Sequence, residues 1–162
     1  MYNKGVKPKV YVETSVISYL TARPSRDIIV IANQQATQEW WIERSGQFEL
    51  FASQLVVQEA EYGDAEAISR RQGALSRCSL LDITQDAVAL AERLIEQGAI
   101  NTKAVEDALH VAVAAVNGMD YLITWNFKHI ANAAIRVNIE LACRLHGYEP
   151  PVICTPEELM EV

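Results

Sequence analysis

The feature that most constrains the fold is an alternation that runs the length of the chain. Short apolar runs rich in β-branched residues take turns with longer segments of helical periodicity. Neither hairpin turns nor internal repeats interrupt them. Residues 10–12, 48–53, 79–83, 120–124 and 152–155 read as strands, and the segments between them carry apolar residues three and four apart. Strands separated by helices pair through crossovers, which makes neighbouring strands parallel and places helices on both faces. The expected fold is α/β, a sandwich around a mainly parallel sheet of four or five strands. No internal linker stands out in the 162 residues, so a single domain over 1–162 is expected.

The first strand stops abruptly at an acid. Lys9 to Ser18 reads KVYVETSVIS: a buried strand at Val10, Tyr11 and Val12, then Glu13, then Thr14 or Ser15 as the N-cap of a helix. A carboxylate at that position lies at the carboxyl edge of the sheet, where ligands of open α/β sheets bind. The question for the rest of the chain is whether other acids return to that edge.

The helices are predicted from caps and stops. Pro24 ends the first, and Ser25 or Asp27 caps a long one over 28–45. Ser53 caps QLVVQEAEYG, which Gly63 stops, and Asp64 caps an amphipathic helix containing Arg70, Arg71 and Arg77. Thr84 begins a helix stopped at Gly98, and 103–117 forms the most apolar one, ended by Gly118. Another covers 135–146, and TPEEL carries the capping-box pattern with Thr155 at N-cap and Glu158 at N3.

Composition excludes several classes. Half the residues are hydrophobic, which excludes a disordered or low-complexity chain. A net charge of −7 argues against a surface that coats nucleic acid in general, yet it suits a cluster of acids that bind a cation. Three dispersed cysteines beside apolar residues read as reduced core thiols. The basic opening MYNKGVKPK lacks the apolar core of a signal peptide, and no run approaches the ~20 apolar residues of a membrane span, so a cytoplasmic location without a membrane partner is expected.

Three later polar residues qualify for the edge: Glu59, about six residues into the helix after the second strand; Asp107, near the start of the apolar helix; and Asn126, two residues past the fourth strand. Each has an ordinary explanation alone, as a solvated helix face, a favourable charge at a helix N-terminus and a turn residue. Their joint occurrence carries the functional reading. His110, three residues after Asp107, is better read as a core or supporting histidine than as a metal ligand. Trp40 and Trp41 read as core or interface anchors.

The segments VYVETS, SQLVVQE, EDALHVA and ITWNFKHI resemble, in order and approximate spacing, the four motifs of the PIN domain, in particular PIN proteins of the VapC toxin type. The resemblance runs from Lys9 to about Thr155. It implies a PIN-like α/β/α sandwich and a toxin ribonuclease of a toxin–antitoxin pair, cutting RNA with Mg²⁺ or Mn²⁺. Glu13, Glu59 and Asp107 match the metal-binding acids and Asn126 the fourth catalytic position. Ser15 and Thr124 match the hydroxyls beside the first and fourth positions, with His110 behind them. Arg23, Arg26, Lys128 and His129 are the candidate RNA contacts, with Arg70 and Arg71 further ones. The resemblance also implies a homodimer and a small antitoxin that blocks the site.

Two residues depart from the family pattern, Glu13 and Asn126, where Asp is usual. Three carboxylates compensate one divalent cation well and a second only weakly, so one metal is expected, or a second that arrives with the substrate phosphate. The rival reading is a catalytically weak or inactive PIN-fold module that binds nucleic acid or protein. A phosphatase would need an aspartyl nucleophile after the first strand, where this chain has Glu13.

Overall fold

The computed structural model describes residues 5–161, so residues 1–4 of the basic opening segment lie outside the described residues. Five parallel strands form one sheet: β1 (Lys9–Val12), β2 (Glu49–Ser53), β3 (Ser79–Leu81), β4 (Tyr121–Ile123) and β5 (Val152–Cys154). Their order is β3-β2-β1-β4-β5. The chain builds outward from β1 on one side, then crosses back to build on the other. The switch point of the sheet therefore falls between β1 and β4, where an open α/β sheet leaves a crevice at its carboxyl edge.

Centrality explains the composition of β1. Val10, Tyr11 and Val12 are completely buried, flanked by β2 and β4 and covered on both faces, so the strand is an unbroken apolar run and does not alternate. The helices are α1 (Thr14–Thr21), α2 (Ile28–Glu43), α3 (Gln54–Glu59), α4 (Ala65–Leu75), α5 (Gln85–Glu96), α6 (Val105–Val116) and α7 (Ala133–Leu145). α1 packs with α2 and α4, and α5 packs with α6 and α7. Right-handed crossovers put these two groups on opposite faces, which gives the α/β/α sandwich. In α6, Ala108, Ala112 and Ala114 are wholly buried with Val111 and His110, and the small side chains let this helix lie close against its neighbours. Gly118 ends it at φ +67°, a left-handed conformation that bulkier residues disfavour.

Several boundaries differ from the sequence expectation. The N-cap of α1 is Glu13 itself, not Thr14 or Ser15, because its carboxylate reaches the Ser15 amide. α2 ends at Glu43 and is followed by a single 3-10 turn, Ser45–Gln47. α3 stops at Glu59, four residues before Gly63; the carbonyls of Ala60 and Tyr62 beyond it accept from the Arg71 guanidinium. Arg77 lies past the end of α4, over the Trp41 ring at 4.7 Å. α7 begins two residues early, capped by Asn132. Thr155 and Glu158 do exchange the reciprocal capping-box hydrogen bonds, at 3.1 and 3.2 Å, but the segment forms turns and no helix. Trp40 is buried and Trp41 packs against it. Cys143 and Cys154 are buried, Cys78 is half-buried, and all three are free thiols. Among the described residues, no helix is long and apolar enough to cross a membrane.

Candidate active site at the carboxyl edge of the sheet

Glu13 and Thr124 follow the two strands that flank the switch point. The Glu13 amide continues the β1–β4 ladder by donating to the Ile123 carbonyl at 3.2 Å, which fixes the backbone from which the side chain departs. That side chain is buried and held from three directions. Its Oε1 accepts from the Ser15 hydroxyl at 2.6 Å and the Thr124 hydroxyl at 2.5 Å, and its Oε2 accepts from the Ser15 amide at 2.9 Å. Both hydroxyls are themselves fixed, since Ser15 Oγ accepts from the Trp125 amide and Thr124 Oγ1 from the Asn126 amide. Hydrogen bonds of this kind to an ionised group are the strong ones.

Glu59 reaches the site from the last position of α3, six residues beyond β2. It accepts from Thr14 Oγ1 at 3.1 Å and pairs with His110 Nε2 at 2.5 Å. Behind it runs a buried chain: His110 Nδ1 bonds the Tyr11 hydroxyl at 2.7 Å, which bonds Ser53 Oγ at 2.8 Å. Burial alone would raise the Glu59 carboxyl, but the His110 hydrogen bond, the charge on His110 and the Thr14 hydroxyl hold it below its usual range. Burial pushes the Tyr11 phenol up, so Tyr11 stays neutral.

Asp107 stands in the first turn of α6 and accepts from Asn126 Nδ2 at 3.0 Å through Oδ1. The other end of the Asn126 amide, Oδ1, accepts from the His129 amide at 3.0 Å. Asn126 is thereby committed at both ends to holding Asp107 and its own loop. Burial and then the Glu13 charge raise the Asp107 carboxyl, outweighing His110, His129 and Asn126. The His110 imidazole is raised in turn: burial opposes its charge, but the Glu59 hydrogen bond and the charges of Glu13, Glu59 and Asp107 prevail. All three acids thus act on one imidazole, which places them in one electrostatic neighbourhood.

Tyr11, Thr14 and Ser53 were not singled out from the sequence as site residues. The signal for Tyr11 was available, because a phenol in a fully buried strand has to find a polar partner. Of the other candidates, His129 lies near enough to Asp107 to act on it, and Lys128 is exposed beside it. Arg23 is not brought to the acids, and Arg26 is exposed in the segment before α2. Arg23 pairs with Glu66 and lines a groove with Ser18, Arg70 and Arg71 at the far end of α1, a helix about 12 Å long. A cavity of about 400 Å³ adjoins Glu59, lined by Leu55, Gln58, Tyr62 and Glu106. A larger one, about 530 Å³, lies at the opposite, amino edge of the sheet around Ser45, Arg77 and Ser79, away from these acids.

The donor set suits a hard divalent cation in a particular way. Asp107 keeps Oδ2 without a hydrogen-bond partner among the described residues, and the Glu13 charge beside it leaves negative charge that a cation would offset. Among the described residues, no group of three or more His, Cys, Asp or Glu side chains is placed to hold a metal ion. A hard divalent cation held here would have one or two carboxylates from this chain, Asp107 and Glu13, and would take its remaining ligands from elsewhere.

The PIN domain family model matches residues 10–135, which takes in all four of these site segments. The chain belongs to the PIN domain family. Among solved structures, this PIN domain is similar to VapC20 of Mycobacterium tuberculosis, described as a sarcin-ricin loop cleaving toxin, with a TM-score of 0.57 and 17% identity over 74% of this chain and 91% of that one. It is also similar to VapBC2 of Rickettsia felis, solved bound to a DNA fragment from its promoter, with a TM-score of 0.56 and 16% identity over 74% and 89% of the two chains. At those identities the likeness is one of fold. No curated protein matches the sequence.

Proposed function

We propose that this PIN domain is a divalent-metal-dependent endoribonuclease, the toxin of a toxin–antitoxin pair acting in the cytoplasm. What supports the reading is the arrangement at the carboxyl edge of the sheet, with buried Glu13 held by Ser15 and Thr124, Asp107 held by Asn126, and Glu59 paired with His110. Glu13 and Asp107 would hold Mg²⁺ or Mn²⁺, with Glu59 joining when it turns from His110. Such a cation supplies a lowered water pKa and polarises phosphoryl oxygens. The chain's own residues do the rest. Ser15 and Thr124 orient Glu13, Asn126 orients Asp107, and Glu59 with His110 forms a proton-holding pair at the edge of the site. Lys128, which is exposed, and His129, which is near Asp107, would meet the phosphate backbone. A homodimer and a small antitoxin that blocks the acids with a basic side chain complete the proposal.

The test is cleavage of single-stranded RNA with Mn²⁺, with Mg²⁺ and with a chelator, for the native chain and Asp107→Ala. Metal-dependent cutting that drops at least ~100-fold in the variant supports the reading, by analogy with the loss of one charge-stabilising group. Equal background in both proteins overturns it. That outcome would favour a binding module without cleavage, for which the full engagement of Asn126 and the Glu59–His110 pair are the supporting observations.

A further inference from the structure

The loop that carries Asn126 also carries an aromatic side chain that the fold leaves half-exposed. Phe127 is 50% exposed, although the residue before it, Asn126, bonds Asp107, and Trp125 is buried. Its ring is not adrift. It meets the Trp125 indole edge-on, with centroids 6.1 Å apart. Trp125 is itself fixed twice, by stacking on Tyr19 at 6.0 Å and 17° and by donating Nε1–H to Thr37 Oγ1 at 2.7 Å. The backbone is equally constrained, since the Phe127 amide donates to the Trp125 carbonyl and Asn126 accepts from His129. The result is a shelf whose outer surface is one phenyl ring, with exposed Lys128 next to it.

We infer that Phe127 is a stacking platform for an unpaired nucleobase of the RNA, one residue along the loop from the Asn126 that holds Asp107. This rests on the ribonuclease reading of the same site. The exposed half of the ring is a flat apolar face held rigidly by the Trp125 contact and the loop's hydrogen bonds, which suits a ligand with a flat face of its own. A base supplies that face whatever its identity, and the adjoining ammonium meets the phosphate that follows it. A base inside a duplex is already stacked on both sides, so the platform selects unpaired RNA.

The experiment uses a single-stranded RNA oligonucleotide carrying 2-aminopurine, whose fluorescence is quenched on stacking. Binding is followed at low salt in chelator, and KM and kcat are measured separately in Mn²⁺. Phe127→Ala and Phe127→Leu are expected to lose the quench and to raise Kd and KM about 10-fold with kcat nearly unchanged, while Phe127→Trp retains both. Leu141→Ala, at an exposed apolar position on α7, serves as the control and is expected to change neither. Unchanged quench and KM in Phe127→Ala, in a protein that cleaves, overturns the platform and leaves the nuclease standing. Binding and quench without cleavage support the platform and count against the nuclease. Absence of both RNA binding and cleavage in the native chain overturns both, and Phe127 would then be assigned to a protein partner.

Discussion

At the scale of residues, the tension in this molecule is concentrated on His110. It is completely buried, bonded at both ring nitrogens and surrounded by the charges of three acids. A histidine held above its unfolded value of 6.5 stabilises the fold fully below that pH and loses the contribution as pH climbs through the folded value. Glu59, held below 4.5, works in the other direction: its contribution is present above 4.5 and is lost as pH falls through the folded value. Asp107, raised above 3.8, adds a decline with rising pH. The pair therefore stabilises the metal-free protein best between about 4.5 and 6.5. In thermal denaturation with a chelator, Tm is expected to fall as pH rises above 6.5, and to fall by a few degrees less in His110→Gln. The same fall in that variant would show that the ion pair contributes nothing.

At the scale of elements, the sequence carried most of the order but not all of the joints. Strand order along the chain, the caps Asp27, Ser53, Asp64 and Thr84, and the stops at Gly98 and Gly118 were legible because each rests on local chemistry. The cap at Glu13 was not, because Glu is a weak N-cap by preference and wins here through the Ser15 and Thr124 hydroxyls. The second of those comes from the residue after β4, more than a hundred residues away, and no local pattern reports it. The length of α3 and the missing C-terminal helix were decided in the same way, by tertiary contacts of Arg71 and by a turn that satisfies its capping bonds without propagating. The four polar positions were legible as a set, whereas the chain from Glu59 through His110 and Tyr11 to Ser53 required the fold. A local rule makes a local test. Asp27 Oδ1 accepts from both the Ile29 and Val30 amides, so Asp27→Ala should cost about 1 kcal/mol in denaturant unfolding and leave RNA cleavage unchanged. A loss of cleavage with stability intact would mean that α2 touches the substrate.

At the scale of the whole molecule, charge and aromatic surface divide the labour. With a net charge of −7, and with Arg23 paired to Glu66 at the far end of α1, few cations remain to neutralise phosphates. RNA binding should accordingly depend weakly on salt, with a log–log slope of about −1.5 to −2, as two or three single-strand phosphate contacts give. A slope near −5, measured by the same oligonucleotide titration across salt, would reveal a basic track elsewhere on the surface. The central claim is that Glu13 and Asp107, brought from separate segments to one edge of the sheet, form one cation site that Glu59 can join. Electron paramagnetic resonance of added Mn²⁺ tests it directly, because bound ions leave the free hexaaqua signal. The native chain is expected to remove Mn²⁺ from that signal with saturation at about one ion per chain, and Asp107→Asn to remove far less. Equal uptake by the two proteins, or none by the native chain with RNA present, would contradict it.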